Sequence, residues 1–240
     1  MSYNFKKDIK PIWCPGCGLH IIYRAMIKTF KNFGWTNKDV AVISGIGCTG
    51  RGAGYFNLDT AHTTHGRSLC VAEGLKLGNP DLNVVVLSGD GDLFGIGGNH
   101  LLHVARRNTN ITVICNSNKI YGMTGGQMSP ETPKGAVTAT TPKGAPYNPI
   151  HSQKIVTAND DYFYGRASIT DMKQMQEILT EAINWQGFSF VNVQSICPTN
   201  YGRRAGFKNA SEMMQVLDER ITKQTNPEIL EENQLGFVHS

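Results

Sequence analysis

No stretch of this sequence stays apolar for the roughly 20 residues that cross a bilayer. Its apolar runs, such as Val84–Leu87 and Ile111–Cys115, have the length of strands. The first ten residues carry lysines but no apolar core after them and no small-residue cleavage site, so no membrane and a cytoplasmic home are expected. Charge is also scarce. The net value is +4, and the basic residues are scattered apart from the pairs Arg106-Arg107 and Arg203-Arg204. Without a basic stripe, a nucleic-acid partner is not expected. Six cysteines in 240 residues are too few for a disulfide scaffold. Metal ligation, core filling or a mixture of the two is the expectation. Repeats and low-complexity tracts are absent as well.

What remains alternates between strand and helix patterns, which predicts an α/β fold: a mainly parallel sheet covered by helices on both faces. Leu19, Ile22, Met26, Phe30 and Phe33 recur at helical spacing, and Gly34 ends that helix. Val40–Ser44 reads as a strand, Gly66–Leu77 as a helix, and Asn83–Leu87 as a buried strand. A helix through about Arg106 and a strand Ile111–Asn116 follow. Lys119–Pro149 is long and rich in Gly, Thr and Pro, and loops of that length inside a domain are usually functional. Asp171 with Gln174 reads as a helix-capping pair. Phe188–Gln194 reads as the last clear strand, delivering Cys197 in a Cys-Pro-Thr turn, and a final amphipathic helix is expected near Ser211. The division is one domain over 1–225 and a polar C-terminal tail over 226–240, suited to contacting a partner.

The most informative segment is Gly89-Asp90-Gly91-Asp92, joined one helix and one strand later by Asn118. A strand ending at Ser88 delivers this turn to the carboxyl edge of the sheet, where α/β proteins bind ligands. Gly89 and Gly91 allow backbone to approach an anion. The following helix points its N-terminus at phosphates. Asp90 offers a hard oxygen for Mg²⁺, Asn118 a side-chain oxygen, and a backbone carbonyl at Ile120 completes the set. An unliganded surface turn is the plain alternative. The strand–turn–helix setting, Asn118 and the glycine-rich Tyr121–Gln127 run weigh against it. No Gly-Lys-Ser/Thr follows, so this is not a Walker loop.

Cys14-Pro15-Gly16-Cys17 is a C-x-x-C pair, and Cys48 and Cys197 stand in two further turns. Four such thiolates suit either a [4Fe–4S] cluster or tetrahedral zinc. Cys70, on the apolar side of its helix, and Cys115, ending a buried strand, are expected in the core. His65 opens a helix and serves the site, a cap or mere packing. Arg51 is either a bidentate partner for a substrate carboxylate or a solvated surface residue. His20, His62, His100 and His103 are expected to be structural.

The Gly-Asp-Gly…Asn spacing is similar to the diphosphate signature of thiamine-diphosphate enzymes. Together with Tyr121-Gly122-Met123-Thr124-Gly125-Gly126-Gln127, it resembles the β subunits of 2-oxoacid:ferredoxin oxidoreductases. The resemblance covers Ile12–Pro149 and Phe188–Arg204, and it thins over Ile150–Ser168, where Ala158–Tyr162 replaces a small apolar run. It implies a thiamine-diphosphate-binding fold of the diphosphate type. Asp90, Asn118 and the Ile120 carbonyl would hold Mg²⁺. Ile46, Gly47, Cys48, Thr49, His65, Gly89, Gly91, Asp92, Asn118, Gly122, Met123 and Thr124 would contact the cofactor, with Met123 near the reactive ring. It also implies that Cys14, Cys17, Cys48 and Cys197 hold [4Fe–4S] rather than zinc.

The Cys197–Arg204 segment is more similar to 2-oxoglutarate enzymes than to pyruvate ones. The reaction so implied is CoA-dependent oxidative decarboxylation of 2-oxoglutarate, with electrons passing to ferredoxin, or its reverse. His65, Met123 and Arg51 are the candidates at the reacting end. An α subunit would supply the pyrimidine side of the cofactor, giving an αβ heterodimer or a dimer of heterodimers. The rivals are the same chemistry on pyruvate or a branched-chain oxoacid, and a zinc-stabilised binding module.

Overall fold

A computed structural model describes residues 6, 9–224 and 229–240. The sequence readings that fall on residues 1–5, 7–8 and 225–228 lie outside the described residues.

The helix α1 spans Leu19–Asn32 and buries Leu19, Ile22, Met26 and Phe30, the spacing read from the sequence. Gly34, at φ +67°, turns the chain out of it. Then come β1 (Val40–Ser44), a 3₁₀ turn (Gly50–Tyr55), β2 (Asp59–His62), α2 (Ser68–Gly78) and β3 (Asn83–Gly89). The expected helix after Gly89-Asp90 starts as a π-helical turn, Gly91–Ile96, and only then becomes α3 (Gly98–Arg106). Next are β4 (Thr112–Ser117) and a small hairpin of β5 (Ile120–Tyr121) and β6 (Gln127–Met128) inside the long loop. The chain goes on through α4 (Ser152–Val156), β7 (Phe163–Ser168), α5 (Met172–Asn184) and β8 (Ser189–Gln194). After a π-helical turn at Pro198–Gly202, it ends with α6 (Ala210–Arg220), β9 (Thr222–Lys223) and β10 (Gln234–His239).

Eight strands form one sheet in the order β2-β1-β3-β4-β8-β7-β10-β9. The six from β2 to β7 run parallel, and β10 is antiparallel to β7. Strand residues alternate between two cores, as the two-residue period of a pleated strand requires. Val40, Val42, Val85, Leu87, Ile114, Val191 and Val193 face α1, α5 and α6. Ala41, Ile43, Val84, Val86, Val113, Cys115 and Phe190 face α2, α3 and α4. Each large side chain so buried contributes about 1.5–3 kcal/mol.

Two expectations need correction here. The segment read as a polar tail supplies β10, whose Leu235 and Val238 are buried and which pairs with β7 along Phe163–Arg166. Polar residues just before it hide its alternation, but β7, paired with β8 on one side only, offers the edge that β10 covers. Cys70 is exposed, not in the core, because α2 buries only a narrow arc of Ser68, Leu69 and Ala72. Cys115 is fully buried, as expected.

Candidate functional site at the sheet switch point

From β1 the chain passes through the 3₁₀ turn to β2 on one side. From β3 it passes through α3 to β4 on the other. Ala53, Tyr55 and Phe56 of the first connection pack on one face of the sheet, and Leu101 and Val104 of the second on the opposite face. β1 and β3 are therefore neighbours whose connections diverge. Such a switch point opens a crevice at the carboxyl ends of the strands. A cleft lies there, lined by Ile46–Thr49, His65, Gly89–Asp92, Asn118 and Ile120–Thr124.

Asp92 organises this cleft. Its Oδ1 accepts the backbone N–H groups of Gly66 at 2.8 Å and Ile46 at 3.1 Å, and its Oδ2 accepts the Ser88 hydroxyl at 2.6 Å. A Cβ on Gly45 would stand 1.9 Å from Asp92 Oδ2, so only glycine fits beside it. His65 Nδ1 lies 2.7 Å from Asp92 Oδ1, although its N–H is not aligned for a good hydrogen bond. Asn116 at the end of β4 donates to the Thr49 hydroxyl at 2.9 Å and fixes the loop after β1. The Tyr121 hydroxyl donates to the Gly91 carbonyl at 2.9 Å, and a Cβ on Gly91 would strike that ring at 2.3 Å.

Asp90 is only 1% exposed. Burial, with the nearby Glu131 carboxylate, pushes its carboxyl up to about 8. One oxygen accepts the Ser129 hydroxyl at 2.6 Å. A carboxylate so desolvated needs a cation to stay charged at neutral pH. Asn118 is also buried, and its Oδ1 accepts the Ile120 N–H at 3.2 Å. Between them Lys119 adopts φ +64°, a strained conformation for a non-glycine residue. Asp90, the Asn118 side chain and the Ile120 carbonyl thus present oxygens of the kind Mg²⁺ prefers.

The cysteine turns are drawn together by long-range bonds. The Trp13 indole donates to the Cys48 carbonyl at 2.7 Å, and the Gly18 N–H to the Ile196 carbonyl at 3.4 Å. Cys14–Cys17 is thereby lashed to Cys48 on one side and to Cys197 on the other. The Asn200 amide donates to the Gly122 carbonyl at 2.7 Å. A Cβ on Gly122 would sit 3.5 Å from Cys197 Sγ and 3.8 Å from Cys48 Sγ, so this cleft-lining glycine faces both sulfurs. Burial first, then the other three cysteines, push the Cys17 thiol up to about 12. Burial, Cys197 and Cys14 push Cys48 up to about 11. Two thiols that resist ionising beside two further cysteines suit a positively charged inorganic centre. Among the described residues, no three His, Cys, Asp or Glu side chains gather around one point as a single ion requires.

The cleft brings together every residue expected at the cofactor and Mg²⁺. Arg51 is not among the lining residues; it is exposed on the 3₁₀ turn just beyond Thr49. Gly91 lines the cleft, and its lack of a side chain also makes room for Tyr121. Sequence reading passed over Ser129, Thr132 and Asn116, which hold the lining residues from behind. The Ser129-Pro130-Glu131-Thr132 turn in a long loop was the available signal.

Residues 45–193 match the family of thiamine pyrophosphate enzymes, C-terminal TPP binding domain. The chain is 43% identical over 219 residues to the 2-oxoglutarate synthase subunit KorB of Methanothermobacter thermautotrophicus, covering 91% of this chain and 77% of that one. It is 38% identical over 236 residues to the subunit of the same name from Methanocaldococcus jannaschii, covering 98% and 87%. Among solved structures it resembles 2-oxoglutarate:ferredoxin oxidoreductase from Magnetococcus marinus, determined with 2-oxoglutarate, coenzyme A and succinyl-CoA bound. The TM-score is 0.87 at 31% identity, over 98% of this chain and 82% of that chain.

Proposed function

Since this chain belongs to the 2-oxoglutarate synthase β-subunit family of thiamine-dependent oxidoreductases, we propose that its cleft binds the diphosphate end of thiamine diphosphate through Mg²⁺ and passes electrons to a [4Fe–4S] cluster beside it. The overall reaction is CoA-dependent oxidative decarboxylation of 2-oxoglutarate to succinyl-CoA, with ferredoxin as the electron acceptor. The observation that carries this reading is Cys48. It lines the diphosphate cleft and also lies close enough to Cys197 and Cys14 to feel their charge.

Asp90, Asn118 and the Ile120 carbonyl would hold the magnesium ion. Cys14, Cys17, Cys48 and Cys197 would hold the cluster. Bound thiamine diphosphate supplies the carbanion chemistry at the oxoacid carbonyl, and the protein supplies position and electrostatics. The turn after β1 and the Gly122 backbone line the cleft on the side of the thiols, so a bound cofactor and a cluster would be held close to each other. His65 stands against Asp92 through one ring nitrogen and leaves the other for the cleft, where it can exchange a hydrogen bond with the substrate. Met123 shapes the reacting end. Arg51 is assigned to the distal carboxylate of 2-oxoglutarate, to be engaged once a partner completes the site.

That partner is an α subunit carrying the pyrimidine half of the cofactor site. Ile46 and Met123 support it: both line the cleft and remain 37% and 42% exposed, an apolar rim suited to being covered. The test is to purify this chain with its α subunit without oxygen and follow reduction of a viologen dye. The expected result is a brown complex whose activity requires both 2-oxoglutarate and CoA, while the isolated chain is inactive. A colourless complex, or one that turns over only pyruvate or a branched-chain oxoacid, would overturn the corresponding part of the assignment.

A further inference from the structure

We infer that Ser129 and Thr132, in the loop between β6 and α4, form a clip that positions the magnesium ligands; this rests on the cofactor reading above. Both residues are buried, at 3% and 2% exposure, and neither lines the cleft. They are positioning residues, acting through the groups that would touch the ion.

The hydrogen bonds run in one chain. The Ser129 hydroxyl donates to Asp90 Oδ2 at 2.6 Å. The Ser129 N–H donates to Thr132 Oγ1 at 2.8 Å. The Thr132 hydroxyl donates to the Lys119 carbonyl at 2.7 Å. Each hydroxyl has a single proton. That of Ser129 occupies one oxygen of Asp90 and leaves the other for a cation. That of Thr132 is committed to the peptide of Lys119, the residue at φ +64°. Asn118 and Ile120 flank that strained residue, so holding its carbonyl fixes the direction of both neighbouring oxygens.

The two halves of the ligand set come from different strands. Asp90 follows β3, and Asn118 follows β4. Nothing in the sheet register sets the distance between their side chains to the accuracy Mg²⁺ requires, since that ion tolerates little departure from an octahedron. The clip touches both halves and sets it. Groups that orient metal ligands typically change metal affinity about 10–100-fold when removed.

The test uses the α–β complex and equilibrium dialysis of thiamine diphosphate at graded Mg²⁺, with iron–sulfur absorption as the check on folding. Thr132→Val keeps shape and loses the hydroxyl. It is expected to raise the half-saturating Mg²⁺ concentration about 10-fold or more. Thr132→Ser restores the hydroxyl and is expected to return it close to the wild-type value. Equal behaviour of the valine variant and wild type, or of the valine and serine variants, overturns the clip. Should Thr132→Val fail to accumulate with its cluster, Ser129→Ala is titrated in its place, and an unchanged Mg²⁺ requirement overturns the clip equally. Wild-type complex that binds thiamine diphosphate without Mg²⁺ would bring down the cofactor reading, and the clip with it. Normal wild-type dependence with unshifted variants would bring down the clip alone.

Discussion

The carboxylate of Asp92 accepts the backbone N–H of Gly66 at 2.8 Å, joining the turn after β3 to the turn before α2. The same carboxylate also takes the Ile46 N–H and the Ser88 hydroxyl, so three segments of the cleft wall meet on one buried side chain. Hydrogen bonds to charged groups contribute about 1.5–3 kcal/mol each, and an abandoned buried donor adds its own desolvation cost. Asp92→Ala is therefore expected to destabilise the protein by about 3 kcal/mol or more. Asp92→Asn keeps a carbonyl oxygen for the two N–H groups, and the Ser88 hydroxyl can turn to accept from the new amide, so it should cost less. Thermal melting of the anaerobic complex should rank wild type above the asparagine variant, and that above the alanine variant. An alanine variant that melts with wild type would show the junction to be dispensable.

The cysteines divide into four and two. Cys14→Ser, Cys17→Ser, Cys48→Ser and Cys197→Ser should each weaken or abolish the iron–sulfur absorption, since each removes a thiolate from the shared centre. Cys70→Ser alters an exposed side chain, so iron content and melting should stay at the wild-type level. Cys115→Ser places a hydroxyl in the apolar core beside Val113 and should lower the melting temperature without bleaching the protein. Iron analysis and absorption spectra of the six variants check this division. A coloured, iron-replete Cys17→Ser protein would remove that residue from the ligand set.

The parts of this molecule that were legible in the sequence are those whose signal is local. Val40–Ile43 and Val84–Leu87 are runs of buried apolar residues on both faces, and Gly34 closes its helix by its own backbone freedom. The Gly-Asp-Gly turn and the cysteine turns carry their chemistry in adjacent residues. What was hidden depends on contacts across the chain. Ser129 serves Asp90 over a separation of 39 residues, and no periodicity marks it. The π-helical turn of Gly91–Ile96 packs closely against Gly66 and Tyr121, contacts that no local pattern announces. β10 is a strand because β7 offers it an edge, and Cys70 is exposed because only a narrow arc of α2 meets the sheet.

The capping pair of α5 predicts a dependence on acid. Asp171 Oδ1 accepts the Gln174 N–H at 2.9 Å, and the Lys223 ammonium pairs with the other oxygen. The Gln174 N–H first, and then Lys223, hold this carboxyl below its ordinary value of 3.8. A depressed folded-state value means the contribution is present above that ordinary value and is lost as pH falls through the lower one. Asp171→Ala should therefore cost about 1 kcal/mol near neutrality, the usual worth of an N-cap. The gap from wild type should narrow below pH 3.8. Urea midpoints measured for both proteins from pH 6 down to about pH 3 give the difference directly, so any acid effect they share cancels. A gap that stays constant to the lowest pH would mean that the charge of Asp171 contributes nothing.

Gly91 separates two explanations for one glycine. If it is there so that backbone can approach an anion, any side chain will block the diphosphate, whatever surrounds it. The structure gives a different reason. A Cβ at Gly91 would lie 2.3 Å from Tyr121 Cε1, and the ring is pinned by its own hydroxyl to the Gly91 carbonyl. Gly91→Ala should thus force the ring outward, at about 1–3 kcal/mol for overpacking. Tyr121→Ala removes the obstacle, so the double variant should be more stable than the sum of the two single changes implies, a coupling that a double-mutant cycle measures. Cofactor retention should follow the same pattern, with the Gly91→Ala loss partly restored by Tyr121→Ala. Strictly additive losses would return Gly91 to the anion-approach explanation, because removing the ring would then have relieved nothing.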